Sequence, residues 1–167
     1  MPTVKRGFPP VVDANARVLI LGSLPGEASL AARQYYGNPR NAFWRLMEVV
    51  LDAPLVVLAY EDRLVALKAH GVALWDVIAR AQRPGSLDAA IRDPAANNLL
   101  ALIETLPDLK LVAFNGGAAA KLGERLIGGR VPTVALPSSS PAHAALSFEQ
   151  KARAWRGLAP FIDAGAQ

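Results

Sequence analysis

The stretch RVLILGSLPGEASLAARQYYGNPRNAFW, from Arg17 to Trp44, decides how the chain folds and where its chemistry lies. Val18 to Leu21 is a continuous apolar run, the pattern of a parallel strand covered on both faces. It runs into Gly22-Ser23-Leu24-Pro25-Gly26, a glycine-rich turn that leaves backbone N–H groups at one sheet edge and suits an anion. Tyr35 and Tyr36 follow, so the anion is expected to carry a flat ring. Asn38 and Pro39 then read as the N-cap and first residue of a helix. Asn41 would occupy its third position, and Phe43, Leu46, Met47 and Val50 recur at helical spacing.

Three further apolar runs read as strands: Val72 to Trp75, Leu111 to Phe114 and Val131 to Leu136. Helices are expected over Glu61 to His70, stopped by Gly71, and over Ala95 to Leu106, ahead of Pro107. Two more are expected: Ala118 to Ile127, stopped by Gly128-Gly129, and one opened by the capping box Ser147-x-x-Gln150 and running toward Leu158. Strands alternating with helices predict an α/β class, three-layer α/β/α, with a central, mainly parallel four-stranded sheet. The 167 residues fit one domain, with 1–15 as a flexible or extended arm. In such sheets ligands sit beyond the carboxyl ends of the strands. Those ends are the 22–26 turn, Asp76, Asn115-Gly116-Gly117 and Pro137-Ser138-Ser139-Ser140-Pro141, and all but Asp76 are small, polar and turn-forming.

Eighteen Lys and Arg against fourteen Asp and Glu give a net charge of +4, spread along the chain. That balance fits a nucleic-acid partner and fits an ordinary solvated surface equally well. The absence of cysteine excludes disulfides, thiol nucleophiles, Cys-ligated zinc and all-Cys iron–sulfur clusters. No apolar signal-peptide core precedes Arg17, and the longest apolar run, near Ala53 to Ala59, is too short to span a bilayer. A cytoplasmic protein is expected.

Several familiar chemistries are missing. The 22–26 turn is neither a P-loop nor a GxGxxG fingerprint, and no GxSxG nucleophile elbow occurs. His70 and His143 have no partners at metal-ligand spacing, so no metal is expected. Tyr36, beside Gly37 in a loop, is the better candidate to stack on a base. Phe43, Trp44 and Trp75 fall on apolar faces and are expected in the core, and Asp76 is expected to be structural. For Asn41 a local capping contact is the plain alternative to a chemical role.

Taken together, GSLPGEASL, QYYGNPRNAFW, GVALWDV, RPGSLDAAI, FNGGAA and LPSSSPAHAALSF resemble the uracil-DNA glycosylase superfamily, and most closely its hypoxanthine-DNA glycosylase branch. The mismatch-specific and thymine-DNA glycosylases share the layout. The resemblance spans about Val18 to Trp155 and implies a monofunctional, cofactor-free enzyme. Such an enzyme flips a deaminated base, hypoxanthine or uracil, out of DNA and hydrolyses its N-glycosidic bond. The implied catalytic residue is Asn41. Gly22, Ser23, Leu24, Pro25, Gly26, Tyr36, Asn115 and Ser138 are the implied substrate-binding residues. Ser139, Ser140, Pro141 and His143 are implied to contact DNA. The implied partner is damaged DNA, duplex or single-stranded, met by a monomer with no membrane involved.

Two positions depart from the pattern. Leu24 stands where many members of the superfamily carry Asp, Asn or Glu to orient the water, and Asn38 replaces a histidine expected in this branch. A leucine can neither orient nor activate water, and the resemblance to the hypoxanthine branch implies that the catalytic role passes to Asn41. A catalytically inert binder of damaged DNA or nucleotides, using the same pocket, is the alternative that Leu24 favours. A small-molecule nucleotide hydrolase is the third.

Overall fold

The computed structural model describes residues 4–162. Its elements in chain order are β1 (Val4–Arg6), β2 (Val18–Gly22), α1 (Glu27–Ala32), α2 (Phe43–Leu51), α3 (Tyr60–Ala69), β3 (Val72–Asp76) and β4 (Ile78–Gln82). There follow β5 (Arg92–Ala96), α4 (Leu99–Glu104), β6 (Leu111–Asn115), α5 (Gly117–Ile127), β7 (Thr133–Leu136) and α6 (Phe148–Trp155). A short 3₁₀ turn covers Asp88–Ala90, and another continues α6 over Arg156–Phe161.

The central sheet has the order β3-β2-β6-β7 and every pairing is parallel. Its two faces explain the unbroken apolar runs. Val18, Ile20, Val72, Leu74, Leu111 and Ala113 face one cluster, built with Phe43, Leu46 and Met47 of α2, Leu67 of α3 and Trp155 of α6. Leu19, Leu21, Ala73, Val112 and Phe114 face the other, built with Leu99 of α4 and Ala119 and Ile127 of α5. A strand buried on both sides cannot alternate with polar residues, and β2 is buried at every position. The three-layer α/β/α expectation is therefore met.

Three expectations need correction. The helix predicted from Ala95 begins at Leu99, capped by the Asn98 Oδ1, which accepts from the Ala101 N–H at 3.1 Å. The residues before it, Arg92–Ala96, form β5, antiparallel to β4. Pro94 lies inside β5, and an edge strand tolerates a residue with no N–H to give.

The second correction concerns Asn38. It is not a helix cap: its Oδ1 accepts from the Arg40 N–H at 2.9 Å, closing a local turn. Helix α2 starts only at Phe43. Asn41 thus sits before the helix rather than in its first turn. The third correction is that the last strand starts at Thr133, not Val131.

The amino-terminal arm takes the extended form. Val4–Arg6 pairs antiparallel with β4, and Val11 bridges Leu74, while residues 1–3 of the expected arm lie outside the described residues. Together β1, β4 and β5 make a second, antiparallel sheet that packs beside the end of β2. Sequence patterning missed it because its strands are short and, in β5, almost wholly exposed.

Candidate active site

From β2 the chain moves to β3 on one side and later returns to β6 on the other. The carboxyl end of β2 is therefore the topological switch point, where a crevice must open between diverging connections. A cleft of about 420 Å³ lies there. Ser23 to Gly26, Tyr36, Asn41, Asn115, Ser138 to Pro141 and His143 all line it, and Gly22 lies beneath it.

Tyr36 and Asn41 both line the cleft. The Tyr36 ring stacks on Phe43, with centroids 3.9 Å apart and planes 15° from parallel, so a fully buried aromatic backs it. Tyr35 is core instead: it is 4% exposed and its hydroxyl donates to the Pro9 carbonyl at 2.8 Å. Asn41 Oδ1 accepts from the Phe43 N–H at 2.9 Å, which fixes the amide and orients its Nδ2 group oppositely. The capping contact and a role in the cleft are thus compatible. Phe43 and Trp44 are core, as expected, and Trp75 is partly buried with its indole N–H on the Phe8 carbonyl.

The loop after β7 is held from behind. Asn115 Nδ2 donates to the Ser139 Oγ at 2.9 Å, and Asn115 Oδ1 accepts from the Ser139 N–H at 2.9 Å. Ser139 is 1% exposed, so its hydroxyl serves this clamp while Ser138 and Ser140 stay half-buried at the surface of the cleft. The Ser139 carbonyl accepts from the Ala42 N–H at 2.9 Å, which couples the loop to the start of α2. Gly116 has a φ of +98°, a value that disfavours side chains, and a Cβ there would press on Ser138 at 3.2 Å.

Sequence reasoning missed the acidic side of the cleft. Asp76 and Asp88 both line it, and Asp88 Oδ1 accepts from the Ser23 hydroxyl at 2.6 Å. Arg83 is buried beside them, its guanidinium 3.7 Å from Asp88 and donating to the carbonyls of Leu24, Pro25 and Gly85. The Asp88 charge is matched by the Arg83 guanidinium 3.7 Å away. The turn itself presents carbonyls to Arg83, and Leu24 packs with Ile78 and Ala81 in a small apolar cluster.

Among the described residues, two buried side-chain atoms have no hydrogen-bond partner: the Tyr36 hydroxyl and Asp76 Oδ2. Both residues close over Gly22, where a Cβ would lie 2.7 Å from Asp76 Oδ1 and 3.1 Å from the Tyr36 hydroxyl. Only glycine leaves room for them. An unsatisfied buried polar atom costs about 1–3 kcal/mol, and this cost sits beneath the end of β2.

Burial, and then the Asp88 charge, push Asp76 from 3.8 up to about 7, against the pull of Arg83. The folded protein holds this proton to higher pH than the unfolded chain does. Stability is therefore lost as pH rises from about 4 to about 7, and the loss is constant above that. Asp76→Asn, neutral throughout, is expected to remove this part of the pH dependence. Urea midpoints at about pH 4 and about pH 8 check it: the wild type should fall further between them than the variant. Equal falls would show that Asp76 is not held neutral.

The family profile described as the uracil DNA glycosylase superfamily matches residues 9–159. The chain belongs to that superfamily. A curated protein named hypoxanthine DNA glycosylase, from Methanosarcina acetivorans, is 44% identical over 155 residues, covering 93% of this chain and 98% of the relative. A second of that name, from Methanosarcina barkeri, is 47% identical over 112 residues, 67% of this chain and 71% of its own. A solution NMR structure of an M. acetivorans protein, provisionally described as a uracil DNA glycosylase, superposes with a TM-score of 0.83 at 42% identity. It covers 93% of this chain and 99% of its own. No helix among the described residues is long and apolar enough to cross a membrane.

Proposed function

We propose that the protein is a monofunctional DNA glycosylase that hydrolyses the N-glycosidic bond of deaminated bases, hypoxanthine or uracil, in damaged DNA. The observation that carries this is one cleft lined by Tyr36, which is backed by Phe43, by the fixed amide of Asn41 and by Asp76. The two Methanosarcina relatives named hypoxanthine DNA glycosylases support the choice of bond and base. A cleft of this size falls in the usual range of small-molecule sites, about 300–1,000 Å³.

The flipped base stacks on Tyr36 and presents its polar edge to the floor of the cleft. A neutral Asp76 carboxyl offers an O–H there. It donates to an oxygen or nitrogen atom that gains electron density as the glycosidic bond breaks. Donors placed where charge develops are worth roughly 10²–10³ each in rate. Asn41 holds a water with its amide, its Oδ1 keeping a second lone pair beyond the Phe43 N–H. That water adds to the anomeric carbon as the electrons of the C–N bond pass to the base, and one of its protons balances the departing anion. An amide is too weak a base to drive this step alone, so selectivity rests on bases that leave readily. Asn115, whose amide is engaged by Ser139, holds the loop that carries Ser138 to the substrate, and Ser140, Pro141 and His143 meet the DNA backbone.

The enzyme works as a single-domain monomer in the cytoplasm, on duplex or single-stranded DNA. A gel assay on duplexes carrying one deoxyinosine or one deoxyuridine separates the catalytic from the inert reading. Alkali-sensitive scission is the expected result. A retarded band with no scission on any lesion would favour the binder.

A further inference from the structure

The inner face of α6 carries one residue that packing alone does not explain. Phe148, Ala152 and Trp155 recur at helical spacing toward the core, and Lys151 shares that face at 5% exposure. An ammonium taken out of water is costly unless a carboxylate meets it, and among the described residues Lys151 forms no salt bridge. Its Nζ donates instead to the Ser140 carbonyl, at 3.4 Å. Burial pulls its pKa below the usual lysine value, and an anion brought close would restore it.

The loop after β7 has the form of a site for that anion. Its carbonyls are drawn inward. The Pro137 carbonyl accepts from the Trp155 indole N–H at 2.9 Å, and the Ser139 carbonyl from the Ala42 N–H at 2.9 Å, both donors belonging to buried residues. The Ser140 carbonyl accepts from Lys151 and from the His143 N–H at 3.0 Å. On the cleft side, Ser140 Oγ accepts from the Ala142 N–H at 3.2 Å and so keeps its own proton to donate. A hydroxyl donor backed by a buried cation, with carbonyls turned away, suits a phosphodiester oxygen.

We propose that Lys151 is the buried cation behind a phosphodiester site on this loop, holding the Ser140 segment against the DNA backbone without touching it. This rests on the glycosylase reading, and it makes Lys151 a positioning residue. The test follows single-turnover excision of hypoxanthine from a deoxyinosine duplex against protein concentration, at several salt concentrations between about 50 and 200 mM. Lys151→Met keeps the stem and removes the charge. It is expected to raise the half-saturating concentration about 3- to 10-fold at low salt and to leave the rate at saturation within about twofold. The slope against log salt should flatten by up to about 0.9, one phosphate's share. Its Tm should equal or exceed the wild-type value, because an unpaired buried charge is gone. Lys110→Met removes the same charge from an exposed position before β6, at the end of the sheet opposite the cleft, and should leave half-saturation and slope unchanged. Three results overturn the proposal while leaving the glycosylase intact. One is an unchanged salt slope in Lys151→Met. Another is an equal change in Lys110→Met, which marks net charge alone. The third is a lowered Tm together with a lowered rate at saturation, which marks a packing residue. A wild type that releases no hypoxanthine would refute the glycosylase reading and this site with it.

Discussion

Asn41→Ala is expected to lose at least about 100-fold in single-turnover excision while still binding lesion-bearing DNA. The expectation follows from what replaces a carboxylate at this cleft. Leu24 lines the cleft but packs against Ile78 and Ala81 and has no polar group to hold a water, whereas Asn41 brings a fixed amide to the same cleft. The variant also loses the acceptor for the Phe43 N–H, a change worth roughly 1 kcal/mol and a Tm lower by about 2–4 °C. Asn41→Ser separates the two effects. A serine keeps an oxygen near the helix start, so its Tm should return toward wild type while its rate stays low. A variant that regains activity along with the Tm would make Asn41 a capping residue only.

Arg83→Met is the substitution with the largest expected effect on stability. The guanidinium is buried and donates to the Leu24, Pro25 and Gly85 carbonyls, while facing Asp88. Methionine fills similar space but leaves these acceptors, and the Asp88 charge, without their donor. The cost is about 3 kcal/mol or more, which corresponds to a Tm lowered by roughly 6–12 °C. Arg83→Lys should rescue little, because a single ammonium cannot reproduce a fork that serves carbonyls on two loops. Thermal melts of both variants check this; a Tm within a degree or so of wild type would mean the turn is held by its own geometry.

The sheet was legible because β2, β3 and β6 are buried on both faces and so read as apolar runs. Once the strands were placed, their carboxyl ends brought Gly22 to Gly26, Asn115 and Ser138 to Pro141 to one edge without any knowledge of contacts. The acidic side stayed hidden for a physical reason. Arg83 and Asp88 lie in a stretch whose composition is that of a solvated loop, and only the antiparallel β4–β5 pairing folds it onto the turn. Asp76 looked structural because a lone carboxylate after a strand gives no sign that its oxygen will lack a partner. Asn38 misled for a similar reason: the same side chain that caps helices also closes a two-residue turn, and here the turn wins. The register of Asn41 followed from that choice.

The most direct measurement is a mass-spectrometric assay of a single turnover on a deoxyinosine duplex without added metal or cofactor. The account predicts free hypoxanthine and an abasic strand that stays whole until alkali is added. Retention of the duplex with no base released, or strand cleavage without alkali, would contradict it.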